Sequence, residues 1–163
     1  VLTLKMKDNF FDRAAVKNAV DRATRRTLSR AGSFVRRTAR RSIKPAGKRA
    51  KRKREKLGRG YPDPTISKPG DPPRLHTNAN QNLRLIFFAW EPTRKTVVVG
   101  PVAFKSINGI SVPEVLEKGG RSYLVGRRGR KKPIRVQARP FMGPALAKEA
   151  PQFPNLFANS VKP

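Results

Sequence analysis

Small and apolar residues recur at steps of three and four along the first quarter of the chain: Val16, Val20, Ala23, Thr27, Ala31, Phe34 and Thr38. That spacing follows the turn of an α-helix and predicts one buried stripe. Leu28, Val35, Ala39 and Ile43 widen the stripe, while Arg22, Arg25, Arg26, Arg30, Arg36, Arg37, Arg40 and Arg41 line the opposite face. Asn9 and Asp12 can each cap the start, because their side chains accept the free amide hydrogens of a first turn. Pro45 ends the helix, since its ring disfavours helical geometry in the residue before it. A helix over residues 9–44 would extend about 54 Å. A stripe so rich in Ala and Thr predicts a partner that approaches closely.

The period changes to strands further on. Leu83 to Trp90 is apolar apart from Arg84, Pro92-Thr93-Arg94-Lys95 makes a turn, and Thr96-Val97-Val98-Val99 is β-branched, which together predict a hairpin. Val102 to Ile107 either continues the second strand or begins another. A short helix is expected near 113–118, with Pro113 in its first turn and Gly119-Gly120 as its stop. Arg121 to Val125 and Ile134 to Ala138 predict a second hairpin. Phe141 to Ala150 predicts a helix with Pro144 in its first turn, and Pro151 and Pro154 break the chain before a last apolar segment, Leu156 to Val161.

Residues 45–75 fit neither period. Lys48, Arg49, Lys51, Arg52, Lys53, Arg54, Lys56 and Arg59 form a basic run interrupted by little but Glu55. Blocks of like charge repel and favour disorder until a partner binds. The proline-punctuated stretch from Tyr61 to Pro73 is expected to run extended across a surface. The whole predicts one α+β domain over 1–163: a long N-terminal helix packed on a small antiparallel β-sheet of about four strands (83–138), short C-terminal helices over 141–161, and a long basic, Pro-rich loop. No internal repeat is apparent.

Charge sharpens this picture. The chain holds 38 Lys and Arg against 10 Asp and Glu, a formal charge of +28. Residues 1–60 carry 21 basic and 4 acidic residues, 61–120 carry 7 and 5, and 121–163 carry 10 and 1. The middle third reads as an ordinary core with a basic zone on each side. Such a field strains a compact monomer and attracts polyanions, so a neutralising partner is expected. Nucleic acid is the first choice, with an anionic membrane as competitor. No apolar run approaches the roughly 20 residues that span a bilayer, and no secretory signal is expected. Cysteine is absent, which excludes disulfides and thiolate metal sites and fits a reducing compartment.

Catalytic chemistry finds little to use. His76 is the only histidine and stands in a Pro-rich loop. Glu114 and Glu117 lie three apart on one short helix, where a solvated face or a subunit contact is a better reading than acid–base work. Gly119-Gly120 and Gly126…Gly129 lack the strand–glycine–helix setting of a nucleotide loop. Neither an enzyme, a cofactor, a metal nor a small-molecule substrate is expected. Nucleic-acid contacts would be sequence-independent and salt-sensitive, because no base-reading motif is present. Phe87, Phe88 and Trp90 read as core rather than as stacking platforms.

Three segments carry a resemblance. Ser67-Lys68-Pro69-Gly70-Asp71-Pro72-Pro73, followed by Thr77 and Leu83-Arg84, resembles the S-x-P-G-x-P-P…T…L-R stretch of the phage tail-completion proteins, head–tail joining or minor tail components of long-tailed, lambda-like bacteriophages. Val115-Leu116-Glu117-Lys118-Gly119-Gly120 resembles their v-E-f-G-t element, with Lys118 where an aromatic or apolar residue is common. Ala138-Arg139-Pro140-Phe141-Met142-Gly143-Pro144-Ala145-Leu146 resembles their A-R-P-F-x-x-P-A-L segment. The order agrees over nearly the whole chain, although the basic run at 48–59 is longer than the family leads one to expect.

The resemblance implies an α+β structural protein of the virion neck, made in the host cytoplasm, without catalytic residues. It would join a ring of identical copies, six to match the tail, beside other neck and tail proteins (terminator, stopper or adaptor). Lys48, Arg49, Lys51, Arg52, Lys53, Arg54, Lys56, Arg59, Arg127, Arg128, Arg130, Lys131 and Lys132 would then meet packaged DNA or acidic neck proteins. Pro69, Gly70, Pro72, Pro73, Arg139, Pro140, Phe141 and Pro144 would form a subunit interface. Two alternatives stay open: a nucleic-acid-binding structural protein of ribosomal or nucleoid type, or another virion part such as a tail terminator, adaptor or minor capsid protein.

Overall fold

In the computed structural model, the described residues are 13–57, 63–75, 83–102, 111–125, 129–158 and 160. The proposed caps Asn9 and Asp12, the possible strand beyond Val102, and His76 and Thr77 lie outside them. The fold is α+β. Helix α1 (Arg13–Ser42) buries Ala23, Thr27, Ala31, Gly32, Val35 and Ala39 along one stripe. The stripe starts later than expected, because Val16 and Val20 remain 44% and 41% exposed. Phe34 is only half-buried, at the rim, with the guanidiniums of Arg37 and Arg30 4.9 and 5.7 Å from its ring centre.

The close partner of that stripe is a hairpin, β1 (Ile86–Glu91) with β2 (Thr96–Pro101), paired from Ile86↔Pro101 to Glu91↔Thr96. A Cβ added to Gly32 would lie 2.6 Å from Val97 Cγ1 and 3.5 Å from Phe88 Cβ, so helix and hairpin touch where only glycine fits. Arg36 leaves the polar face of α1 and donates its Nε–H to the Ile86 carbonyl at 2.6 Å. One member of the expected arginine face is thus absorbed into the fold.

Helix α3 (Val112–Lys118) follows, with Pro113 buried in its first turn. Gly119 ends it at φ 75, where a Cβ would stand 3.0 Å from Ala138 N and 3.2 Å from Val136 O. The second hairpin, β3 (Gly120–Val125) with β4 (Lys131–Val136), pairs from Gly120↔Val136 to Val125↔Lys131. The four expected strands are therefore present, but as two separate two-stranded sheets. Along β4 only Ile134 and Val136 are even half-buried, so this hairpin has too little apolar face to join the other sheet. Ala138 lies beyond β4.

Helix α4 (Met142–Glu149) packs on α1, a 3-10 turn follows at Ala150–Gln152, and α5 spans Phe153–Phe157. Pro151 and Pro154 do not break the path. Each sits in the first turn of its element, where the missing amide hydrogen costs nothing. The core gathers Val35, Ala39, Ile43, Leu75, Ile86, Phe141 and Ala145.

The expected arm is the largest departure. Its ends are pinned together: Ala46 N–H donates to Leu75 O at 2.8 Å, and Leu75 N–H to Lys44 O at 3.0 Å. Between them residues 48–57 of the basic run are a helix, α2 (Lys48–Leu57), not a loop. Residues 48–57 contain no Gly or Pro, and Lys, Arg, Ala, Glu and Leu are all good helix formers. The segment after it is seated on the body, with Thr65, Ser67 and Pro73 buried. There Asp63 Oδ1 accepts from Thr65 N–H at 2.9 Å, and Asp63 Oδ2 stands 3.1 Å from Arg54 Nε.

Candidate nucleic-acid interface

Two arrangements matter, a bonded hub and a basic surface that the hub helps to present. In the hub the motif segments meet one another within a single chain. Gly70 N–H donates to Ala138 O at 2.9 Å, and Arg139 Nε–H to Ser67 O at 3.1 Å. The Glu117 carboxylate accepts three amide hydrogens at the start of α4, from Phe141 and Met142 at 2.9 and 3.0 Å and from Gly143 at 2.7 Å. Helix starts leave such donors unpaired and carry partial positive charge, so a carboxylate is well matched to them. Glu117 is therefore neither a solvated residue nor a free subunit contact. The sequence signal for this is its place in one resembling motif just ahead of another.

The residues expected at a subunit interface divide accordingly. Phe141 is 1% exposed and belongs to the core, and Pro73 is also buried. Pro72, Arg139 and Pro140 are half-buried in the hub, whereas Pro69, Gly70 and Pro144 are exposed. Pro69 and Gly70 form a turn of the chain, and Pro144 stands in the first turn of α4. A second polar tie escapes sequence reading altogether: Thr38 Oγ1–H donates to the buried Glu149 Oε1 at 2.6 Å, joining α1 to α4.

The basic surface is centred on α2. Lys48, Arg49, Lys51, Arg52, Lys53, Arg54 and Lys56 are all exposed, and the helix has no buried residue. Its first turn has no acidic residue, so cations sit at the positive end of the helix dipole. Like charges also face each other at Lys48/Arg52, Arg49/Lys53 and Arg52/Lys56, a spacing at which they repel. Ten residues form a marginal helix in water even without these penalties. Bound phosphates would relieve every one of them.

Other cations extend the surface less coherently. Arg22, Arg25, Arg26, Arg30, Arg37 and Arg41 are exposed along α1. Arg130, Lys131 and Lys132 are exposed on the second hairpin, the two lysines as strand residues rather than loop tip. Arg59, Arg127 and Arg128 lie outside the described residues. Among the described residues no group of three His, Cys, Asp or Glu side chains could hold a metal, and no helix is long and apolar enough to cross a membrane.

Comparison with known proteins returned no matching family, no matching curated protein and no matching solved structure.

Proposed function

We propose that this chain is a non-enzymatic structural protein of the phage neck, a tail-completion component that joins head to tail in a six-copy ring near the DNA channel. The observation that carries this reading is the hub: the three segments that resemble the tail-completion family bond to one another as one unit. The same unit anchors the C-terminal part of the arm, at Ser67 and Gly70, and the arm's helix, α2, displays seven exposed cations. A ring around packaged DNA needs many weak, sequence-blind contacts of that kind. In this reading its partners are further copies, neighbouring neck and tail proteins, and DNA.

Electron microscopy of lysates from a phage lacking this gene tests the proposal. Full heads and finished tails lying apart are expected. Normally joined particles would refute the neck assignment and leave the second reading, a sequence-independent nucleic-acid-binding structural protein, which α2 supports by itself.

A further inference from the structure

One cleft combines basic charge with the indole of Trp90. It lies between the first half of α1 and the turn end of the β1–β2 hairpin, has a volume of about 570 Å³, and is lined by Asn18, Asp21, Arg22, Arg25, Trp90 and Lys95 together with the turn proline. That volume falls within the roughly 300–1,000 Å³ typical of ligand sites. Lys95 Nζ is bonded to Asp21 Oδ1 at 2.6 Å, which neutralises both and ties the hairpin turn to the helix. Lys95 holds a left-handed backbone, φ 50, in doing so. Arg22 and Arg25 are exposed and make no ion pair among the described residues. Arg22 uses only its Nε–H, on the Asn18 carbonyl at 3.3 Å.

We propose that this cleft binds a nucleotide whose base is unpaired, with the base against Trp90 and the phosphate on Arg22 and Arg25. The two arginines are three apart on α1 and so share a face, and guanidinium groups pair with phosphate in a two-pronged fashion. The indole adds what a simple anion site does not need: a planar apolar wall, on which a base stacks. A duplex hides its base faces in the stack and cannot use that wall. The site is separate from α2 and does not depend on the neck assignment.

Trp90 is the only tryptophan in the chain, so its fluorescence reports on the cleft directly. The full chain is titrated with a short oligothymidylate, with thymidine monophosphate, with inorganic phosphate and with a blunt duplex. Saturable quenching by the oligothymidylate is expected, with a midpoint about tenfold weaker in the Arg22→Gln/Arg25→Gln variant. Both arginines are exposed, so the variant's melting temperature should not change. If the monophosphate quenches at a similar midpoint, the ligand is a free nucleotide; if only the oligomer does, it is a single strand. A variant of α2, Lys51→Gln/Arg52→Gln/Lys53→Gln/Lys56→Gln, must keep the quenching. Four outcomes would overturn the site: no quenching by either nucleotide ligand, equal quenching by phosphate or duplex, an unchanged midpoint in the arginine variant, or quenching lost in the α2 variant. None of these bears on whether heads and tails join.

Discussion

The hub and the basic helix α2 both contain arginine and use it in opposite ways. In the hub, Arg139 and Gly70 bond to main-chain carbonyls, Glu117 collects three amide hydrogens, and Phe141 fills the core. On the sheet side, Arg36 is likewise spent on the Ile86 carbonyl. On α2 seven cations share one short helix, and one of them, Arg54, stands 3.1 Å from a half-buried Asp63. The difference teaches that charge count alone does not mark an interface. A cation counts as available when the fold has left it without structural work, and α2 is where the fold does so most completely.

Substitutions can break that comparison, starting with the core. Phe141→Ala should lower unfolding free energy by about 3–5 kcal/mol, read by denaturant unfolding; a near-neutral result would return this residue to the surface role that its motif suggests. Gly32→Ala comes next. Alanine is the better helix former by about 1 kcal/mol, yet its Cβ would meet Val97 Cγ1 at 2.6 Å, so a net loss of about 1–3 kcal/mol is expected. Adding Val97→Ala should relieve the clash and recover part of that loss in a double-mutant cycle.

Smaller effects sharpen the comparison. Glu117→Ala strips the start of α4 of its acceptor and should cost about 1–2 kcal/mol, with Glu117→Gln less damaging because an oxygen remains. On α2, changing Lys51, Arg52, Lys53 and Lys56 to Gln should move stability by no more than about 0.5 kcal/mol. DNA binding should respond instead: each phosphate that the variant no longer neutralises makes the slope of log affinity against log salt shallower by about 0.9. A large drop in stability with an unchanged salt slope would reverse the assignment of the two regions.

Much of the fold is legible in the sequence because it depends on local periodicity. The helical stripe from Ala23 onward, the turn at 92–95, the stop at Gly119 and the helix after Phe141 all follow from spacing and from Gly and Pro positions. The candidate interface is legible in composition but not in form. Repulsion along the basic run predicts a disordered arm, whereas its helix-forming residues place it in a helix. The apolar strand around Trp90 predicts a core residue, and only the opposing helix reveals that the indole also walls a cleft.

The sequence by itself therefore determined most of the segments that coil or extend, the α2 run excepted, and a formal charge of +28, since these are sums over near neighbours and net charge. Tertiary structure alone decided that the strands form two sheets rather than one, that Glu117 caps α4 across 24 residues, and which arginines remain free. Those outcomes depend on which groups meet over long chain separations, and a carboxylate or guanidinium has the same letter whether it faces water, a carbonyl or a helix end.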